Sequence, residues 1–191
     1  NESPVFSGAP VLSVNENSAG GTVVGSVSAT DQDRADSLTY SIISSNPVSP
    51  FAIDAVSGQI QVINSSMLNY EAMTSITLSI RVTDTGGLTD TQLITISIND
   101  VNGSPTDLFL SGGVVAENSA GGTFVGNVSG SDPDAGDVLQ YTLLNNGGGR
   151  FVVDATTGTI RVAAGALLNY EVVNTHLVTV RTTDVHGLSY D

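Results

Sequence analysis

The sequence predicts an all-β chain built as two tandem seven-strand β-sandwiches, the second lacking its last strand. Three observations carry this reading. The seven residues from Glu16 to Thr22, Glu-Asn-Ser-Ala-Gly-Gly-Thr, recur from Glu117 to Thr123, so one module of about a hundred residues is written twice. Apolar residues alternate with polar ones at period two, which places one face of a strand on a core and the other in water. Clusters of Gly, Ser, Asn and Asp interrupt these runs at short intervals, and many short strands with such turn chemistry indicate a sandwich.

In the first copy the β-rich stretches are Val11 to Val14, Thr22 to Ala29, Leu38 to Ile43, Phe51 to Ile53 and Gln59 to Ile63. Ser66 to Tyr70 is the one candidate for a helical turn. Ile76, Leu78, Ile80 and Val82 then alternate with Thr77, Ser79 and Arg81, and Ile94, Ile96 and Ile98 repeat the pattern in the last strand, Gln92 to Asn99. The second copy matches at an offset of 101 through Asp31/Asp132, Asp33/Asp134, Asp36/Asp137, Leu38/Leu139 and Tyr40/Tyr141. After the loss of one residue it matches at an offset of 100 through Phe51/Phe151, Asp54/Asp154, Gly58/Gly158, Leu68 to Glu71/Leu168 to Glu171, Arg81/Arg181 and Asp84/Asp184. The predicted domains are therefore residues 1–101 and 102–191, each long enough to close its own core. The second copy stops before the counterpart of Gln92 to Asn99, which predicts an unpaired edge around Val178 to Arg181 and a C-terminus that is not the natural end of the protein. At the other end Asn1-Glu2-Ser3-Pro4 aligns with Asn102-Gly103-Ser104-Pro105, so the chain is expected to begin inside a linker from a preceding repeat.

Of 191 residues 19 are acidic and five are Arg, with no Lys, giving a net charge of −14. Such a surface repels nucleic acid and anionic membranes and attracts cations; a divalent metal is its natural counter-ion. No apolar run approaches the length of a membrane-spanning helix, so no membrane insertion is expected. With no Cys there is no thiol chemistry, and an extracellular module can be stabilised by metal in place of disulfides. An enzyme needs a nucleophile with a base, an acid pair in a cleft or a cofactor loop. None can be assembled from two His and no Cys, and Gly20-Gly21 and Gly121-Gly122 precede neither a Lys nor a helix, so they read as turns. Catalytic and cofactor residues are therefore expected to be none.

Several residues have plainer readings. Asp54 and Asp154 precede tight turns ending in Gly58 and Gly158 and read as turn formers. His176 falls at an inward strand position and His186 in a Gly-containing turn, both structural. The triplets beginning at Asn1, Asn64, Asn102 and Asn127 fit the glycosylation sequon, which a chain rich in Ser and Asn also generates by chance.

The acidic residues instead gather around a few turns. Glu16, Asn69, Glu71, Asp100 and Asn102 are expected at the C-terminal end of the first copy, and Asp132, Asp134 and Asp184 at the facing end of the second. Calcium takes about six to eight oxygens from carboxylates, amides, carbonyls and water, and these groups can supply them. An EF-hand does not fit, because the loops beginning at Asp31 and Asp132 lack its central Gly and end in Ile42 and Leu143 where it needs Glu.

Glu16, Asn69-Tyr70-Glu71, Asp100-Val101-Asn102, Asp132-Pro133-Asp134 and Asp184 follow in one order, with Phe51-Ala-Ile-Asp54 and Gly58-Gln-Ile60 between them. In this each copy resembles a cadherin repeat. The resemblance implies an immunoglobulin-like Greek-key sandwich and calcium held between repeats by the residues just named. Asp31, Asp33 and Asp84, with backbone oxygens of Asn1 or Ser3, would form a partial site facing a preceding repeat. Asn69 and Asn169 stand where the family has Asp, and Gly103 and Ser104 replace an Asp and an Asn of its linker, which removes a carboxylate shared between ions. The strongest site is then implied at Asp132, Asp134 and Asp184, with backbone oxygens of the linker and of the 135–138 loop. The short linker, the near-identical copies and Asp132-Pro-Asp-Ala-Gly-Asp137 resemble bacterial surface-protein arrays more than animal receptors. The absence of Trp removes the anchor that classical cadherins exchange. The expected function is a calcium-rigidified extracellular or cell-surface segment for adhesion or display. Its expected partners are calcium, neighbouring repeats of a longer chain and like modules on another cell. The alternatives are calcium-dependent binding of extracellular polysaccharide and a passive spacer.

Overall fold

Every second residue of Ser75–Thr83 is buried, Ile76, Leu78, Ile80 and Val82 being wholly so, and Ile94, Ile96 and Ile98 of the neighbouring strand face the same way. This alternation organises the first of two units, Asn1–Val101 and Asn102–Asp191, in a computed structural model that describes residues 1–33 and 37–191. Asp36, matched to Asp137 in the repeat, lies outside the described residues.

Unit 1 contains β1 (Val5–Phe6), β2 (Leu12–Asn15), β3 (Val23–Ser26), β4 (Ala29–Thr30), β5 (Thr39–Asn46), β6 (Phe51–Ile53), β7 (Gln59–Val62), β8 (Ser75–Thr83) and β9 (Thr89–Asn99). Strands β2, β9, β8 and β5 form one sheet and β3, β7 and β6 the other, with β1 paired to β4. β8 runs antiparallel to β9 from Ser75↔Ser97 to Thr83↔Thr89, while β2 lies parallel to β9 from Leu12↔Ile96 to Asn15↔Asn99. The N-terminal segment therefore pairs first with β4 through β1 and then with β9 through β2. The two residues of β1 are too few to show a period, and the sequence does not predict them. The predicted strand from Thr22 to Ala29 is divided: β3 pairs with β7 and β4 with β1, and between them Val27 N–H bonds the Gly58 carbonyl at 3.0 Å. A 3-10 turn at Ser65–Met67 overlaps the single predicted helical turn.

The core gathers Phe51, Ile60, Val62 and Leu68 with the inward residues of β8 and β9. Tyr40 is buried among them, and its hydroxyl accepts a 3.0 Å hydrogen bond from Ala29 N–H, so its one polar atom is satisfied. At Gly58 the backbone is left-handed (φ +67°), and a Cβ there would collide with the Val27 carbonyl. Only Gly fits this turn without strain.

Unit 2 contains β10 (Asp107–Gly112), β11 (Phe124–Ser131), β12 (Gln140–Asn146), β13 (Phe151–Val153), β14 (Thr159–Val162), β15 (Val178–Thr183) and β16 (Ser189–Tyr190). Strands β10, β11, β14 and β13 form one sheet and β12, β15 and β16 the other, around a core of Val125, Val128, Tyr141, Phe151, Ile160, Val162 and Leu168. The seventh strand, predicted to be missing, is present as its first two residues, Ser189 and Tyr190, against Thr183 and Thr182. Among the described residues no strand pairs with Val178 to Arg181 on that side, and Arg181 reaches Asp191 only through its side chain, Nε to Oδ1 at 2.6 Å. β15 also begins three positions later than β8. In unit 1 Ser75 to Thr77 are held by Ser97 to Thr95, and no described residue takes that part beside 175–177. His176, predicted inward on a strand, is thus outside one; it is half-buried where unit 1 has Ile76, with its ring edge-on to Phe151 at 5.7 Å.

Candidate metal centre

In unit 1 the chain leaves β2 at Glu16 and turns sharply at Asn17, whose φ is +56°. The turn buries Glu16, and its carboxylate is pinned from two sides. Oε2 accepts from Tyr70 N–H at 2.9 Å and Oε1 from Val101 N–H at 3.0 Å, where the chain leaves the unit. Carboxylate oxygens of Glu16, Glu71 and Asp100 come within 4.8 Å of one another. Asn69 Oδ1 accepts from Ala72 N–H at 2.6 Å and closes the turn that carries Glu71. Asn169 does the same with Val172 N–H at 3.0 Å.

In unit 2 the loop between β11 and β12 folds on its own carboxylates. Asp132 Oδ1 accepts from Asp134 N–H at 3.0 Å, and Asp134 Oδ2 accepts from Gly103 N–H at 2.6 Å, where the chain comes in. Asp184, buried just after β15, takes the His186 and Leu188 N–H groups on Oδ1, both at 2.8 Å, and Asn102 Nδ2 on Oδ2 at 2.9 Å. Asp132, Asp134 and Asp137 bring carboxylate oxygens within 4.8 Å of one another.

Three acceptors of this loop and linker are buried with no hydrogen-bond donor: Asp132 Oδ2, Asp137 Oδ2 and Asn102 Oδ1. Buried acceptors are nearly always paired, because desolvation without a partner costs free energy. Burial pushes the Asp132 carboxyl above its usual range against the pull of Asp134 N–H, and the charges of Asp134 and Asp137 push the same way. At Asp184 burial acts upward too. The Asn102 amide and the N–H groups of Leu188, His186 and Gly187 outweigh it, so this carboxyl is held low and ionised. His186 Nδ1 lies 3.8 Å from Asp137 Oδ2. The donor set is entirely oxygen, several of it anionic, which suits a hard cation of the calcium type.

Unit 1 repeats the arrangement where its own chain comes in. Asp31 Oδ1 accepts from Asp33 N–H and Asp33 Oδ2 from Glu2 N–H, both at 2.9 Å, while the buried Asp31 Oδ2 has no donor among the described residues. Asp84 takes Leu88 N–H at 2.7 Å and Asn1 Nδ2 at 2.9 Å. Asp54 and Asp154 belong to neither group. Each accepts two or more hydrogen bonds from its own turn, Asp54 from Val56 and Ser57 and Asp154 from Thr156 and Thr157, and these bonds hold both carboxyls low.

Asp137 is absent from the ligands predicted by sequence, although its match to Asp36 and its place in Asp132-Pro-Asp-Ala-Gly-Asp137 were visible. What the sequence does not display is that the loop turns back to bring Asp137 beside Asp132, with Asp137 N–H on the Asp134 carbonyl at 3.2 Å.

Comparison with known proteins agrees with this architecture. A family model described as Cadherin domain matches residues 10–99 and again 112–190. Cadherin-87A of Drosophila melanogaster is 33% identical over 173 residues, covering 86% of this chain and 8% of that protein. Human Protocadherin Fat 4 is 35% identical over 162 residues, covering 78% of this chain and 3% of that protein. Both relatives are animal proteins, so the likeness to bacterial arrays rests on the sequence features alone. Among solved structures, mouse Cadherin-23 EC22-24 superposes with a TM-score of 0.75 at 21% identity, over 100% of this chain and 64% of that one. The human Desmocollin-1 ectodomain gives 0.62 at 27% identity, over 95% and 37%. With the family model matched in both repeats, the chain belongs to the cadherin family.

Proposed function

We propose that this chain is a calcium-binding adhesion or display segment of an extracellular or cell-surface protein, in which calcium between the repeats stiffens the tandem. The observation that carries the reading is the set of donorless buried oxygens on Asp132, Asp137 and Asn102, beside Asp134 and Asp184. Glu16, Glu71 and Asp100 are the proposed ligands of the first repeat, with Asn69 holding the turn beneath Glu71. Asp31, Asp33 and Asp84 form the equivalent set where the first repeat's own chain comes in.

The mechanism is electrostatic. Two carboxylates about 4 Å apart repel by roughly 4 kcal/mol at an effective dielectric of about 20. A divalent cation reverses the sign, and the linker from Asn102 to Pro105 has no helix to stiffen it otherwise. Each repeat has its own core, so loss of metal loosens the joint before it unfolds either domain. Extracellular calcium modules bind at roughly 0.1–1 mM, which suits surroundings rich in calcium. The proposed partners are neighbouring repeats of a longer chain and like modules on another cell.

Calcium titration is expected to show binding together with a rise in melting temperature, by mass action on the native state. Asp134→Ala should weaken affinity roughly tenfold or more, since the charge of the ligand set tunes it. Asp154→Ala should leave affinity unchanged. Equal weakening by both would overturn the division between ligand and turn carboxylates. Retention on insoluble polysaccharide in calcium but not in chelator would favour sugar binding instead.

A further inference from the structure

We propose that Asn64 is an N-glycan acceptor of this chain, taking oligosaccharide from a lipid-linked pyrophosphate donor. Four triplets fit the sequon, at Asn1, Asn64, Asn102 and Asn127. A triplet is a hypothesis until its surroundings accept a bulky, hydrated adduct at the surface. The structure separates the four on that ground.

Asn64 is exposed, just ahead of the 3-10 turn at Ser65–Met67. Its backbone is extended (φ −140°, ψ 96°), and its side chain does not cap the turn. Ser66 Oγ instead donates to Asn64 Oδ1 at 2.8 Å, which brings the hydroxyl and the carboxamide of the triplet together. Among the described residues Asn64 Nδ2 has no acceptor, so the nucleophilic atom faces solvent. The contact spans two residues and needs no tertiary structure, so a nascent chain can make it before folding.

The other three triplets are obstructed. Ser3 and Ser104 each precede Pro, in Ser3-Pro4 and Ser104-Pro105, and the Pro ring holds such a residue extended in the unfolded chain as well as the folded one. Asn1 Nδ2 donates to Asp84, and half-buried Asn102 spends its Nδ2 on Asp184 and on the Gly103 carbonyl. Asn127 lies inside β11 between Ser111 and Thr159 of the flanking strands, with Nδ2 on the Val128 carbonyl and Oδ1 accepting from Thr159 Oγ1. A glycan there has to be accommodated by the finished sheet, whenever it is attached. Unit 2 has Ala164-Gly165-Ala166 where unit 1 has Asn64-Ser65-Ser66, so the site belongs to the first repeat only.

In the transfer, a bond forms from Nδ2 to the anomeric carbon of the donor sugar as the bond from that carbon to the pyrophosphate oxygen breaks. The lipid pyrophosphate leaves with the electron pair, and the amide proton passes to a base of the transferase. Nothing is oxidised or reduced.

The chain, secreted from cultured animal cells, should be digested and its glycans released by amidase in heavy-oxygen water, so that every occupied Asn becomes a labelled Asp. Label is expected at Asn64 and at none of the other three. Asn64→Gln and Ser66→Ala should each remove the mass increment, and Asn64→Gln should bind calcium as the parent does, which keeps this test apart from that of the metal reading. An unlabelled Asn64 in folded, secreted protein overturns the proposal. So does full occupancy in Ser66→Ala, or equal label at Asn102 or Asn127.

Discussion

Thr182 occupies the place of Val82. Both are wholly buried, but Thr182 Oγ1 has no hydrogen-bond partner. Thr182→Val removes the unpaired hydroxyl while keeping the shape of the side chain, and should stabilise unit 2 by about 1 kcal/mol or more. Denaturant unfolding would read this as a raised midpoint; an unchanged or lowered midpoint would mean that the hydroxyl has found a partner. Asp132 gives a pH signature. Its carboxyl is held above the usual range by burial and by its acidic neighbours, so the folded state keeps this proton more tightly than the unfolded chain does. In chelator its contribution should therefore be most favourable below the ordinary carboxylate value and decline as pH rises through the raised one. Asp132→Asn should flatten that decline in melting curves, and calcium should abolish it by binding the ionised form. Because Asp54, Asp154 and Asp184 are held low and act the other way, the test is the difference between the parent and Asp132→Asn; a pH profile unchanged by the substitution would refute the sign. At this scale the carboxylates were legible because motif order fixes which turns they occupy. The part of Asn102 was not, since it depends on which of two nearly isosteric amide atoms faces Asp184.

Periodicity made the strands legible, and partners decided where they end. Ile76 to Val82 announces β8 by alternation, yet its first three residues are strand because Ser97 to Thr95 lie beside them. The same positions in the second repeat, Thr175 to Leu177, have no such neighbour and fall outside β15. The division of Thr22 to Ala29 was equally hidden, because it follows from partners: the equivalent β11 runs unbroken beside six residues of β10, whereas β1 offers only two to β4. Amide exchange tests the consequence. Edge-facing amides from Val178 to Arg181 should exchange far faster than their counterparts from Leu78 to Arg81, since unpaired edge groups open to solvent without unfolding. Appending a segment with the sequence of Gln92 to Asn99 after Tyr190 should slow them. Equal protection in the original chain would mean that another group already covers the edge.

For the whole molecule the repeat was the most legible feature, because seven identical residues in one order fix the module and its length. The calcium dependence proposed for it is testable in solution. Small-angle scattering of the two-repeat chain should show a longer and narrower distance distribution in calcium than in chelator; identical profiles would remove the stiffening mechanism even where calcium binds. Each unit carries one set of carboxylates beside its incoming chain, where Asp33 meets Glu2 and Asp134 meets Gly103, and unit 1 carries a different set beside its outgoing chain, where Glu16 meets Val101. On the calcium mechanism proposed above, a joint made from these two unlike sets has no symmetry that closes it, so the same joint can be made again after every unit. Nothing in its chemistry counts. Under that mechanism the number of repeats is written only in the gene, and recombination that drops or duplicates one whole module would leave each remaining joint with both sets of proposed ligands.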